Sequence, residues 1–92
     1  MNKAAFHCIV EGEVQGVGYR FFAIRHANRL GIKGFVRNLD DGSVEVFAEG
    51  EREKLEEFLE LLYDGPSAAF VRNIKLEWKP FKGEYTNFTI AF

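Results

Sequence analysis

The order of hydrophobic periodicities along the chain constrains the fold most. Five segments alternate apolar and polar residues with the two-residue period of a β-strand: residues 5–12, 33–39, 43–49, 69–78 and 88–92. Two segments show the 3.6-residue period of an amphipathic helix: residues 21–30 and 51–63. The order β-α-β-β-α-β, with an extra terminal strand, is the split βαβ arrangement of ferredoxin-like folds. We therefore predict an α+β sandwich whose antiparallel sheet carries both helices on one face.

Turn residues separate these segments. Gly31 follows the first helical pattern as a C′ glycine, and Pro66 cannot continue the second helix. Asp41-Gly42 between two strands predicts a hairpin. The apolar parity switches within the strand at 69–78, which predicts a β-bulge near Arg72 and Asn73.

Composition narrows the class of protein. The chain has 92 residues, which is enough for one domain, and we assign residues 1–92 to it. Hydrophobic residues make up 47% of the chain, too many for intrinsic disorder. Cys8 is the single cysteine, so an internal disulfide and a Cys-rich zinc site are both excluded.

The net charge and the hydropathy of the chain indicate which partners it binds and where in the cell it is located. The net charge of −2 lacks the basic surplus that drives nucleic-acid binding. No apolar run reaches the roughly 20 residues that span a bilayer, and the N-terminus does not resemble a signal peptide. We expect a cytoplasmic protein that binds neither nucleic acid nor membrane.

The loop at residues 15–20 is the candidate functional segment. It joins the first strand to the first helix, where free N–H groups and the helix dipole favour an anion. Gly16 and Gly18 allow the backbone to approach an oxyanion, and the Arg20 guanidinium can bond two of its oxygens. The loop has neither the Gly-Lys-Ser/Thr ending of a P-loop nor the third glycine of a dinucleotide site. From the residues alone, an ordinary glycine turn with a surface arginine stays an alternative.

Two motifs carry a family resemblance. Residues 10–20 read VEGEVQGVGYR, which resembles the first acylphosphatase signature, centred on G-x-V-Q-G-V-x-F-R. Residues 34–44 read GFVRNLDDGSV, with Gly50 six positions later, and resemble the second signature. The likeness extends over essentially the whole chain. The one departure is Tyr19, where the family usually has Phe or Met, and we expect it to affect packing more than chemistry.

The resemblance implies a small stand-alone acylphosphatase, monomeric, that hydrolyses acyl phosphates without metal or cofactor. It assigns catalysis to Arg20 and Asn38. It assigns phosphate binding to the backbone of six residues: Gln15, Gly16, Val17, Gly18, Tyr19 and Arg20. The neutral amide of Asn38 cannot act as a base, but it can accept a hydrogen bond from water and hold that water in line. The substrate's own phosphate then takes the proton.

Other readings are weaker. A non-catalytic module that binds phosphate or acyl phosphate could use the same loop. Lys33–Arg37 faintly matches the aromatic motif of RNA-recognition domains, but on the wrong strand. His7 and His26 lack a second ligand at a suitable spacing, and Cys8 lies among strand apolars, so we predict structural roles for all three.

Overall fold

The secondary structure follows the predicted order. The computed structural model describes residues 2–92. Its elements are β1 (Lys3–Glu13), α1 (Tyr19–Arg29), β2 (Lys33–Asn38), β3 (Val44–Glu51), α2 (Arg52–Asp64), β4 (Phe70–Lys79) and β5 (Phe88–Ile90). The helix α1 begins two residues before the predicted boundary, which places Arg20 in its first turn. The predicted α+β fold is confirmed.

The five strands form one sheet in the order β4-β1-β3-β2-β5. The first four strands pair antiparallel, as predicted, whereas β5 runs parallel to β2 and makes the sheet mixed. The predicted terminal strand is therefore present, but it ends at Ile90. Phe92 continues the alternation in sequence yet is fully exposed, because nothing among the described residues covers it.

The predicted β-bulge lies between β1 and β4. Glu11 pairs with Asn73, but the next residue, Gly12, pairs with Val71. Arg72 is thus the extra residue of β4, and the strand changes parity there. The bulge lets β4 turn its apolar side chains to the core on both sides of Arg72.

Both helices pack against one face of the sheet. The residues Leu55, Phe58 and Leu62 of α2 are fully buried, as are Ala23 and Ala27 of α1. All five belong to one apolar cluster with the inward-facing residues of the central strands: Phe6, Cys8, Val10, Val44, Val46 and Ala48. No helix among residues 2–92 is long and apolar enough to cross a membrane.

The opposite face of the sheet is crossed by residues 80–87, which we call the crossing segment. Glu49, on β3, is 1% exposed, and its carboxylate accepts backbone hydrogen bonds from the N–H groups of Lys82–Tyr85 at 3.0–3.4 Å. The Tyr85 ring lies 5.4 Å from the ring of Phe47, between centroids. The crossing segment thereby leads the chain from the β4 edge of the sheet to the β5 edge.

Candidate active site

The loop before α1 has a backbone that favours glycine. Gly16 has φ +74° and Gly18 has φ +81°, in the left-handed region that L side chains rarely adopt. Gly18 is the N-cap of α1, and its carbonyl accepts the N–H of Phe22 at 3.0 Å. Within residues 2–92, no N–H group of residues 15–21 donates a hydrogen bond to another backbone or side-chain group. The first turn of α1 contains no acidic side chain, so this end of the helix is electropositive.

The side chain of Gln15 fixes this loop to the β2–β3 hairpin. Its Nε2 donates to the carbonyl oxygens of Leu39 and Ser43, both at 2.8 Å. The hairpin is itself closed by Asp41, whose Oδ1 accepts the N–H of Ser43 at 3.0 Å. The predicted Asp-Gly turn is confirmed. Because its Nε2 group is engaged in this way, the Gln15 side chain holds the loop in place, while the backbone N–H of Gln15, which carries its predicted role, has no partner within residues 2–92.

Asn38 is the last residue of β2 and therefore lies where the strand meets the hairpin. Its Oδ1 is buried and has no hydrogen-bond partner among the described residues. Buried side-chain acceptors nearly always have a donor, so an unpartnered one calls for a functional explanation. The Asn38 amide oxygen is available to accept a hydrogen bond from a molecule that enters the site.

These features meet around one cavity of about 180 Å³, which we call the Arg20 cavity. Its lining residues are Val14, Gly16, Gly18, Tyr19, Arg20, Phe21 and Asn38. Five of the predicted site residues are among them. The other two are not: Gln15 points to the hairpin, and Val17 lines a neighbouring cavity. Sequence reasoning missed Val14 and Phe21; the signal for Phe21 was an apolar residue next to Arg20, outside the buried stripe of the helix.

Tyr19 joins the loop to α2. Its side chain is 1% exposed, and its hydroxyl donates to the carbonyl oxygen of Leu62 at 2.6 Å. Leu62 is in the last turn of α2, where the carbonyl groups receive no hydrogen bond from N–H groups of the same helix. Burial, with Cys8 nearby, raises the pKa of Tyr19 well above its usual value. The hydroxyl therefore stays protonated and can donate this hydrogen bond. The hydroxyl that distinguishes Tyr19 from Phe is thus used in packing.

Replacing Tyr19 by Phe is expected to lower the free energy of unfolding by about 1 kcal/mol, because the Leu62 carbonyl loses its buried donor. Urea unfolding of Tyr19→Phe beside the wild type measures the loss. Tyr63→Phe is the matched control, because Tyr63 is 50% exposed and its hydroxyl makes no hydrogen bond within residues 2–92. A Tyr19→Phe variant as stable as the control would show that the hydrogen bond contributes nothing.

The remaining nucleophilic and basic groups lie outside the cavity. Cys8 is in the core, where burial raises the pKa of its thiol to about 12, with a smaller contribution from Glu45. His7 lies on the opposite face of the sheet, and its Nε2 is 2.7 Å from Glu45. His26 lies on α1, where its Nδ1 is hydrogen-bonded to Nη2 of Arg29 at 3.1 Å. No group of three or more metal-ligating side chains occurs among residues 2–92.

The comparisons with known proteins agree with this geometry. The family model described as Acylphosphatase matches residues 6–90. The chain is 42% identical over 92 residues to an acylphosphatase of Pelotomaculum thermopropionicum, covering 100% of both chains. It is 49% identical over 83 residues to one from Thermotoga maritima, covering 90% of this chain and 91% of that one.

Solved structures give the same result. The crystal structure of acylphosphatase from Bacillus subtilis superimposes with a TM-score of 0.93 at 34% identity, covering 97% of this chain and 99% of that one. An acylphosphatase from Coxiella burnetii superimposes with a TM-score of 0.92 at 36% identity, covering 98% of this chain and 94% of that one. By both sequence and structure, the chain belongs to the acylphosphatase family, whose enzymes hydrolyse acyl phosphates.

Proposed function

We propose that this enzyme hydrolyses acyl phosphates in the Arg20 cavity, with the phosphoryl group held by the loop and Arg20 and the attacking water oriented by Asn38. The observation that carries the proposal is the unpartnered, buried Oδ1 of Asn38, a residue that lines the same cavity as Arg20. A site that needs only to bind an anion has no use for a buried acceptor. A site that must also place water has a use for both.

The phosphoryl oxygens have three kinds of partner in this arrangement. The N–H groups of residues 15–20, in the loop and the first turn of α1, have no partner within residues 2–92 and supply donors. The α1 dipole favours a negative charge at the same place. The guanidinium of Arg20 adds a fork of donors that matches two oxygens of a phosphoryl group. Since charge on these oxygens persists through the transition state, preorganised donors stabilise it without further rearrangement.

The chemical step then needs one water. Asn38 Oδ1 accepts a hydrogen bond from that water and holds its oxygen in line with the bond to be broken. The water oxygen forms a bond to phosphorus as the bond from phosphorus to the acyl oxygen breaks. The carboxylate leaves with that electron pair, and a phosphoryl oxygen of the substrate takes the water's proton. The products are a carboxylate and inorganic phosphate. Water and substrate together supply every atom and electron of these products, so the balance of the reaction needs no metal ion and no group-transfer cofactor.

The test is release of inorganic phosphate from benzoyl phosphate with a metal chelator present. We expect turnover well above the rate without enzyme and unchanged by the chelator. Phosphate is also expected to inhibit competitively and to raise the urea midpoint of unfolding, because it binds the native site.

A non-catalytic phosphate-binding module is the alternative function. It would show the phosphate protection without turnover of any acyl phosphate. That result would overturn the catalytic proposal while keeping the loop and Arg20 as a binding site. Neither turnover nor protection would overturn the assignment of the phosphate site as well.

A further inference from the structure

A second cavity adjoins the Arg20 cavity at the N-terminus of α1. It measures about 310 Å³, and we call it the side cavity. Its lining residues are Val17, Gly18, Phe21, Phe22, Arg25 and Pro66. Gly18 and Phe21 line both cavities, so the two spaces meet at these residues.

Phe21 is exposed in a way the fold does not require. The residues of α1 that fill the core are Tyr19, Ala23 and Ala27, whereas Phe21 lies outside that stripe and is 70% exposed. A large apolar side chain that stays exposed beside the Arg20 cavity costs solvation energy and returns little to packing. Its position is more readily explained by contact with a ligand.

Apart from Arg25, the other side chains that line the side cavity are apolar, and packing holds the Phe22 ring in place. The Phe22 ring lies 6.2 Å from the buried ring of Tyr19 and 4.6 Å from the ring of His26, between centroids. The Arg25 guanidinium lies over the Phe22 ring, 5.9 Å from the ring centroid. Val17 and Pro66 add aliphatic surface. The side cavity therefore presents a largely preformed apolar wall, of which Phe21 is the exposed part.

An acyl phosphate has two parts, and the two cavities differ as those parts do. The Arg20 cavity offers charge and N–H donors to the phosphoryl group, and at about 180 Å³ it leaves little room for a bulky acyl group. The adjoining side cavity offers apolar and aromatic surface. We propose that Phe21 is the specificity-determining residue for the acyl group and that the side cavity selects acyl phosphates with an aromatic acyl group. This inference rests on the proposed function.

The test compares two substrates that differ only in the acyl group, benzoyl phosphate and acetyl phosphate. For Phe21→Ala, we expect kcat/KM for benzoyl phosphate to fall about tenfold, mostly through KM, because the ring contributes binding surface. For acetyl phosphate, kcat/KM should stay within about twofold, since a methyl group reaches little of the side cavity. Phe70→Ala is the matched control, because Phe70 is 62% exposed and lines neither cavity.

Three outcomes would overturn the inference. Equal losses for both substrates would show that Phe21 supports the phosphate site or the fold instead. No loss for either substrate would show that the bound acyl group does not contact Phe21. A loss for acetyl phosphate alone would contradict the assignment directly.

A binding measurement separates this inference from the proposed function. Benzoylphosphonate, which is not hydrolysed, is titrated into the wild type and into Phe21→Ala, with inorganic phosphate as the reference ligand. We expect the variant to bind benzoylphosphonate about tenfold more weakly and phosphate unchanged. That result would support the acyl subsite even if no substrate were turned over, whereas equal affinities for benzoylphosphonate would overturn it even in an active enzyme.

Discussion

Arg20→Ala is expected to lose about 10³-fold or more in kcat/KM for benzoyl phosphate, together with competitive inhibition by phosphate. Arg20 lines the Arg20 cavity from the first turn of α1, where the N–H groups of residues 15–21 have no partner among residues 2–92, and we propose that its guanidinium binds the phosphoryl group. Removing it takes away donors for phosphoryl oxygens in both the ground state and the transition state. Steady-state kinetics with phosphate as inhibitor measures both effects.

The matched control is Arg29→Ala. Arg29 is on the same helix, its side chain is 53% exposed, and it pairs with Glu57 at 3.7 Å, away from the cavity. An exposed pair of this kind contributes little to stability, so the control should retain wild-type kinetics and nearly wild-type stability. If Arg20→Ala kept wild-type kcat/KM, the assignment of the phosphate site would be wrong. Equal losses in both variants would indicate a general effect of arginine removal on the helix.

Asn38→Ala is expected to lower kcat by about 10²-fold or more while the inhibition constant of phosphate changes little. The substitution removes the only buried side-chain acceptor without a partner among residues 2–92, and with it the hydrogen bond that we propose to place the water. The backbone pairing of residue 38 with Val44 does not involve the side chain, so the strand is expected to remain intact. Kinetics and phosphate inhibition, measured on the same preparations, separate the rate from the affinity.

Asn28→Ala serves as the control, because Asn28 is exposed on α1 and does not line the Arg20 cavity. It should be indistinguishable from the wild type in both rate and phosphate affinity. A parallel fall of rate and phosphate affinity in Asn38→Ala would mean that Asn38 shapes the loop instead of orienting water. Unchanged kcat would remove Asn38 from the mechanism altogether.

The fold could be read from local patterns, because each pattern acts over a few residues. Alternation predicted β1 to β4, and the parity switch predicted a bulge near Arg72 and Asn73, where the register of β1 and β4 shifts. The direction of β5 could not be read in this way. It depends on pairing with β2, more than fifty positions earlier in the chain, and no local spacing records which edge a terminal strand joins.

The candidate site was predicted unevenly for a related reason. The resemblance brought Arg20 and Asn38 together, and the structure places both on one cavity. It did not show that the Gln15 side chain binds the hairpin carbonyls, since the partners of a glutamine amide are fixed only by tertiary structure. Phe21 was assigned no role, because an exposed phenylalanine is unremarkable until the cavities on either side of it are seen.

The way Glu49 holds the crossing segment determines where this protein tolerates sequence change. The carboxylate binds backbone N–H groups, so it places no demand on the side chains of Lys82 and Glu84, which are both exposed. Proline is excluded at residues 82–85 because it has no N–H to donate. Within that limit, Lys82 and Glu84 can be replaced for labelling or for solubility, whereas Tyr85 packs on Phe47, Gly83 has φ +67°, and Glu49 has no substitute of the same reach and charge.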